Sequence, residues 1–152
     1  MTGGEGRLAG DETRPGESLA RVVELMAQLH GEQGCPWHRE QTHASLAPYV
    51  LEEAEEVHEA IADGDPAHLA EELGDLLWQV VVHAQLASRA GEFTIDDVVA
   101  ELEAKILRRH PHVFDPEVPS VATAAEVYPI YRAAKAREKA ERARHGAPRR
   151  PQ

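Results

Sequence analysis

Residues 49–58, Y-V-L-E-E-A-E-E-V-H, combine an apolar stripe with a run of carboxylates. Val50, Ala54 and Val57 recur at spacings of four and three, which is the pattern of an amphipathic helix. Between them lie four glutamates, Glu52, Glu53, Glu55 and Glu56. So much negative charge within little more than one helical turn requires either a solvated face or a positive partner.

Composition narrows the choice of that partner. The chain has 152 residues, which is room for one domain with one modest core, and its formal net charge is -11. Such a charge excludes nucleic acid as the main partner, because a nucleic-acid binder must neutralise phosphates with Lys and Arg. A divalent cation matches the charge better.

The sequence also predicts the cellular location of the protein. No apolar run approaches the ~20 residues of a membrane span, and the N-terminus lacks the apolar core of a signal peptide. The single Cys35 forms no internal disulfide. We therefore expect a cytoplasmic protein without a membrane partner, with one domain over residues 17–143 between disordered tails over residues 1–16 and 144–152.

Helical periodicity dominates the rest of the chain, and no stretch alternates apolar and polar residues for long enough to predict a strand. The fold class predicted is all-α, a bundle of four to five helices. The first four are expected from Leu19 to Leu29 with Ser18 as N-cap, from Pro48 to about Ala62, from about Pro66 to Ala90, and from a cap at Thr94 to just before Pro111. A last helix, from Ala122 to about Arg144, is expected to be interrupted at Pro129.

The third predicted helix is apolar nearly all round its circumference. Leu76, Leu77, Trp78 and Val80 to Val82 would point in every direction from its axis. A small bundle cannot cover all of these side chains. We therefore predict a homodimer or higher oligomer built on apolar helix faces.

Two pairs of acids flank the buried stripes of the second and third predicted helices. Glu53 and Glu56 are spaced i and i+3, and Glu72 and Asp75 repeat that spacing. If Gly64 is the turn of an antiparallel hairpin, Glu56 lies opposite Glu72 and Glu53 lies opposite Asp75. Successive levels are then separated by roughly 4.5 Å, so the four carboxylates converge.

Four carboxylates that close cannot all stay ionised without a cation. Ligation by oxygen alone favours Mg²⁺, with Mn²⁺ as a substitute, over zinc. A glutamate run can equally be a solvated face, which is our interpretation of Glu55 and Glu59.

Four motifs together resemble the MazG family of nucleoside triphosphate pyrophosphohydrolases. They are G-C-P-W-H-R-E-Q-T-H at residues 34–43, E-E-x-x-E at 52–56, E-x-x-D at 72–75 and K-I-L-R-R-H-P-H-V-F at 105–114. The resemblance runs in order from about Leu19 to Phe114. It implies a dimeric, Mg²⁺-dependent enzyme that hydrolyses a nucleoside triphosphate to the monophosphate and pyrophosphate, with its active site between the second and third predicted helices.

The resemblance also assigns roles to residues. Glu53, Glu56, Glu72 and Asp75 would be the metal ligands, and either Glu53 or Glu52 would take a proton from the attacking water. Lys105 and Arg109, one helical turn apart, are predicted to bind the triphosphate, although a cation near a helix C-terminus is also favoured by the helix dipole.

Trp37, expected in a loop, would either stack on the nucleobase or plug the fold. In this interpretation the protein cleans the nucleotide pool of unwanted triphosphates. The alternatives are a dUTP or phosphoribosyl-ATP pyrophosphohydrolase with the same acids and, in another class, a non-catalytic helical interaction module stabilised by metal.

Overall fold

A computed structural model describes residues 15–144, and every regular element in that range is a helix. The predicted all-α fold class is confirmed. In chain order the helices are α1 (Pro15–Leu29), α2 (Pro36–Glu40), α3 (His43–Asp63), α4 (Pro66–Ala90), α5 (Ile95–Arg109), α6 (Pro111–Phe114) and α7 (Ala124–Arg144).

A two-residue connection joins α3 to α4, the second and third predicted helices. Gly64 ends α3 in the left-handed conformation, with φ 74°, and its N–H donates to the Ala60 carbonyl at 3.2 Å. The Asp65 side chain accepts a hydrogen bond from the Ala67 N–H at 2.9 Å and so caps α4, whose first residue is Pro66. Because the connection is so short, the two helices pack along each other as an antiparallel hairpin.

The start of α3 was predicted at Pro48, and that boundary is wrong. Thr42 and Ser45 form a reciprocal capping box, in which each side chain accepts from the other's backbone N–H, at 3.1 and 2.9 Å. These two bonds satisfy two of the free backbone donors at the helix start, so the helix begins at His43. Pro48 lies inside the helix, which lacks one backbone hydrogen bond there.

The segment before α3 is also more regular than expected. Trp37 was predicted in a loop, but it lies on the short helix α2. Gly34 precedes this helix at a close approach of two backbone segments, since a Cβ there would collide with the carbonyls of Gln28 and Leu29. A glycine is therefore required to bring α2 back against the end of α1.

Helices α1, α3 and α4 share one core. Met26 from α1, Leu46 from α3 and Val81 and Val82 from α4 are all buried and in contact. Both α1 and α3 pack on α4. Helix α4 is therefore the central element, and its buried face fixes which residues of α3 and α4 face each other.

The chain divides into two compact units, Met1–Ile95 and Asp96–Gln152. In the second unit, Ala134 on α7 is buried, and the bonds of Arg109 to Tyr131 and Glu138 tie α5 to α7. Helix α7 continues through Pro129, so the predicted interruption there is wrong.

The N-terminal boundary of the fold also differs from the prediction. Helix α1 begins at Pro15, so its first two residues belong to the segment predicted as a disordered tail, and Ser18 lies inside the helix instead of capping it. The remainder of both predicted tails lies outside the described residues. None of the helices described is both long and apolar enough to span a membrane.

Candidate functional site

Three carboxylates meet between α3 and α4. Glu53 and Glu56 on α3 and Glu72 on α4 each offer one oxygen, and these oxygens all lie within 4.8 Å of one another. The hairpin turn at Gly64 and the i, i+3 spacing of Glu53 and Glu56 produce this arrangement. The sequence predicted four converging carboxylates, and Asp75 is not among the three that meet. We call these three residues with Asp75 the acid cluster.

Asp75 lies beside Glu53. The two side chains line the same cavity. Burial, followed by the charges of Asp75, Glu56 and Glu52, raises the pKa of Glu53 above its ordinary value. Glu52, the other predicted proton acceptor, is exposed on the surface of α3. The carboxylates of the site therefore repel one another unless a positive charge neutralises them.

The donor set fits a divalent cation. All the ligand atoms are carboxylate oxygens, which match Mg²⁺ or Mn²⁺ and do not match the nitrogen and sulfur preference of zinc. The Glu72 Oε2 atom is buried and has no hydrogen-bond partner among residues 15–144. A buried carboxylate oxygen is costly unless it is paired, and a cation would pair it.

A cavity of about 270 Å³ adjoins these acids in the same unit. Its walls include the aromatic side chains of Trp37, Tyr49 and Trp78, with Glu53 and Asp75 at its acidic side. The Trp37 and Tyr49 rings are 6.5 Å apart and nearly perpendicular. An aromatic slot next to a group of carboxylates suits a ligand that carries a flat ring and a metal-bound anion.

Two polar groups on the cavity wall have free hydrogen-bonding capacity. The Gln79 Oε1 and His38 Nδ1 atoms are buried without a partner in the described part of the chain. His38 stacks on Trp78 with ring centroids 6.2 Å apart, and burial, assisted by the nearby His30, lowers its pKa. A neutral imidazole and an amide are suited to bind the polar edge of a ring.

Sequence reasoning identified Trp37 but missed the four other aromatic or amide side chains of the cavity wall. Tyr49 precedes Glu53 by one helical turn, and Gln79 follows Asp75 by one turn, so the i, i+4 rule could have found both. Trp78 follows Asp75 by three residues and carries the same signal. His38 has no such signal, because it reaches the cavity through the fold of the 31–42 segment.

The two predicted phosphate-binding cations lie on α5, in the second unit. Lys105 is half-buried. The Arg109 Nη2 and Nε atoms donate to Glu138 at 2.7 and 3.2 Å, and its Nη1 atom donates to the Tyr131 hydroxyl at 2.9 Å. Hydrogen bonding to Glu138 is the main cause that raises the Arg109 pKa.

Residues 41–114 match the family model of the MazG nucleotide pyrophosphohydrolase domain. This segment, just under half of the chain, is similar to the MazG domain. The matched segment contains the whole acid cluster, with Tyr49, Trp78 and Gln79 of the cavity wall. The family resemblance read from the sequence motifs is therefore confirmed.

Two curated relatives carry names that describe nucleoside triphosphate pyrophosphohydrolysis. A Thermotoga maritima protein named nucleoside triphosphate pyrophosphohydrolase/pyrophosphatase MazG is 52% identical over 93 residues, covering 61% of this chain and 36% of that protein. An Escherichia coli strain K12 protein named nucleoside triphosphate pyrophosphohydrolase is 45% identical over 130 residues, covering 85% of this chain and 49% of that protein. The chain thus spans between a third and a half of these two relatives.

A solved structure supports the fold. The crystal structure of a mazG-related protein from Thermotoga maritima superposes with a TM-score of 0.61 at 28% identity, covering 79% of this chain and 98% of that one. The all-α architecture of the MazG domain is therefore shared with a protein described as related to MazG.

Proposed function

We propose that the chain hydrolyses nucleoside triphosphates to the monophosphate and pyrophosphate in a Mg²⁺-dependent reaction. The observation that carries this proposal is the position of the acid cluster beside an aromatic cavity, since Glu53 and Asp75 belong to both. A nucleotide has the matching parts, a flat base and a phosphate chain that binds divalent cations. The names of the MazG relatives point to the same reaction.

Glu53, Glu56, Glu72 and Asp75 would hold the metal ion in this proposal. When bound, Mg²⁺ supplies charge neutralisation at the phosphates and lowers the pKa of water. Glu53 accepts the proton of the attacking water, because its raised pKa brings it closer to the operating pH. The exposed Glu52 is the other candidate for this role.

The nucleobase would occupy the aromatic cavity. Trp37 and Trp78 supply the faces on which it stacks, and stacking on an aromatic ring tolerates every base. Gln79 and His38, whose polar atoms lack partners, would bind the polar edge of the base. Their capacity to bind different edges would set any preference among bases.

Lys105 and Arg109 are proposed to bind the triphosphate. They are one helical turn apart on α5. The fork of hydrogen bonds from Arg109 to the Glu138 carboxylate is the geometry that also binds phosphate oxygens, so a triphosphate could exchange with Glu138.

We further propose a homodimer or higher homo-oligomer that cleans the nucleotide pool in the cytoplasm. The dimer is supported by apolar side chains of α4 that are 41–49% exposed and lie outside the cavity wall, namely Leu73, Leu77 and Val80. A second copy that covered them would remove their apolar surface from water.

The test is pyrophosphate release from the eight common nucleoside triphosphates and dUTP, with Mg²⁺ and with EDTA, for wild type and Glu56→Ala. We expect release that needs Mg²⁺ and that falls at least 100-fold in the variant. Glu59→Ala, which removes an exposed carboxylate one turn further along α3, is the matched control and should keep activity. Orthophosphate instead of pyrophosphate as the product would show cleavage at the wrong anhydride bond. No release from any nucleotide would refute the proposed reaction for these substrates.

A further inference from the structure

His68 contacts the acid cluster from outside. It lies on the first turns of α4, and its Nε2 atom is 3.2 Å from the Glu72 Oε1 atom, one helical turn further on. Its Nδ1 atom is 3.4 Å from the Asp63 Oδ2 atom at the end of α3. The imidazole therefore lies between two carboxylates, one on each helix of the hairpin.

The two oxygens of Glu72 have different surroundings. Oε1 lies 3.2 Å from the His68 Nε2 atom, whereas Oε2 is buried and unpaired as far as residues 15–144 show. The Glu72 side chain is only 12% exposed, so water does not compensate for the missing partner. A carboxylate that is held at one oxygen cannot rotate freely, and Oε2 is the oxygen that has no protein partner among the described residues.

We propose that His68 is a positioning residue that orients Glu72 as a metal ligand. In this role it donates from Nε2 to Oε1 and leaves Oε2 for the cation. Partners that hydrogen-bond to metal ligands typically contribute 10- to 100-fold in metal affinity. This inference rests on the proposed function only in taking a divalent cation as the ligand of the acid cluster.

Mn²⁺ binding to the full chain, without nucleotide and followed by electron paramagnetic resonance, tests this role directly. We compare wild type with His68→Ala, His68→Gln and His68→Asn. The glutamine amide places a donor near the position of the imidazole Nε2, whereas the shorter asparagine amide replaces only Nδ1. We expect the dissociation constant for Mn²⁺ to rise 10- to 100-fold for the Ala and Asn variants and to stay within about 3-fold for the Gln variant.

His58→Ala is the control, because His58 is exposed on α3 and the acid cluster does not include it. It should bind Mn²⁺ like wild type. Thermal unfolding in EDTA shows whether each variant folds. If the Ala variant does not fold, the Gln and Asn variants, which share the same amide group, still test the role of His68.

A kinetic measurement separates positioning from general damage. If pyrophosphate release is established, the Mg²⁺ concentration for half-maximal rate should rise in His68→Asn, with the KM for the nucleotide changed less than 3-fold. Wild-type Mn²⁺ affinity in the Asn variant, or equal losses in the Gln and Asn variants, would overturn the proposal. Intact differences in Mn²⁺ binding with no turnover by wild type would instead refute the hydrolase and leave the role of His68 standing.

Discussion

Replacing Glu53 by Gln should make the metal-free protein more stable and the metal-bound protein less so. Glu53 is the member of the acid cluster whose pKa is raised by burial and by Asp75, Glu56 and Glu52. Glutamine keeps the size of the side chain and can still donate a hydrogen bond to Glu56. The substitution therefore removes one negative charge and little else.

The size of the effect follows from the distances. Coulomb's law at a water-like dielectric gives about 1 kcal/mol for two unit charges 4.8 Å apart, the limit within which the oxygens of Glu53, Glu56 and Glu72 lie. Screening by solvent reduces the sum over several neighbours, so we expect a gain of about 1–2 kcal/mol without metal. This corresponds to a rise in Tm of roughly 3–6 °C for a chain of this size.

Bound metal reverses the order of stability of wild type and Glu53→Gln. A cation at about 100 times its dissociation constant stabilises the wild type by about 2.7 kcal/mol. If loss of one ligand weakens binding about 100-fold, the variant gains only about 0.4 kcal/mol under the same conditions. The variant should then be less stable than wild type by about 1 kcal/mol.

Urea unfolding in EDTA and in excess Mg²⁺ measures both differences. Glu55→Gln is the matched control, because it removes an exposed carboxylate of the same helix outside the acid cluster. It should shift both curves by less than about 0.5 kcal/mol and should gain as much from Mg²⁺ as wild type does.

The dependence on pH has a definite sign. A carboxyl group whose pKa is raised in the folded state binds its proton more tightly in the folded protein than in the unfolded one. Its ionisation therefore lowers the stability of the fold, and this loss develops as the pH rises from the ordinary pKa through the raised pKa. The advantage of Glu53→Gln in EDTA should therefore be full at neutral pH and disappear as pH falls towards 4.5. A variant that is less stable than wild type in EDTA, or that gains as much from Mg²⁺, would refute the reasoning.

Three further outcomes are expected. Trp37→Ala should raise the KM for every nucleotide about 10-fold, as loss of a stacking ring does. The Tm should stay within 2 °C of wild type because Trp37 is 49% exposed, whereas lost stability with an unchanged KM would show that Trp37 plugs the fold instead. Lys105→Ala should raise the KM for the triphosphate about 10-fold, and unchanged kinetics would remove its phosphate role. Burial, and then His43, lowers the pKa of His83, so wild type should lose stability as pH falls below 6.5, and this loss should be smaller in His83→Gln.

The acid cluster could be predicted because every step was local. Helical spacing placed Glu53 beside Glu56, and Gly64 followed by Asp65 and Pro66 marked a tight turn. An antiparallel hairpin with a known turn has only one register, so positions on α3 determined the facing positions on α4. The convergence of three carboxylates follows from helix geometry alone.

The cavity could not be predicted in the same way. His38 and Trp37 reach it because α2 folds back on the end of α1, which depends on the close approach at Gly34. The start of α3 was misjudged because a proline was taken as the first residue, whereas the reciprocal bonds of Thr42 and Ser45 set the boundary. Such caps act through side-chain hydrogen bonds that periodicity does not detect.

The shortness of the link between α3 and α4 has a consequence for evolution and engineering. Surface loops usually accept insertions, yet one extra residue between Gly64 and Asp65 would change the register of the two helices. A one-residue shift along a helix turns each side chain by about 100° and displaces it by about 1.5 Å, so Glu72 would leave its neighbours on α3. This connection should therefore tolerate changes of length poorly, although neither of its residues belongs to the acid cluster.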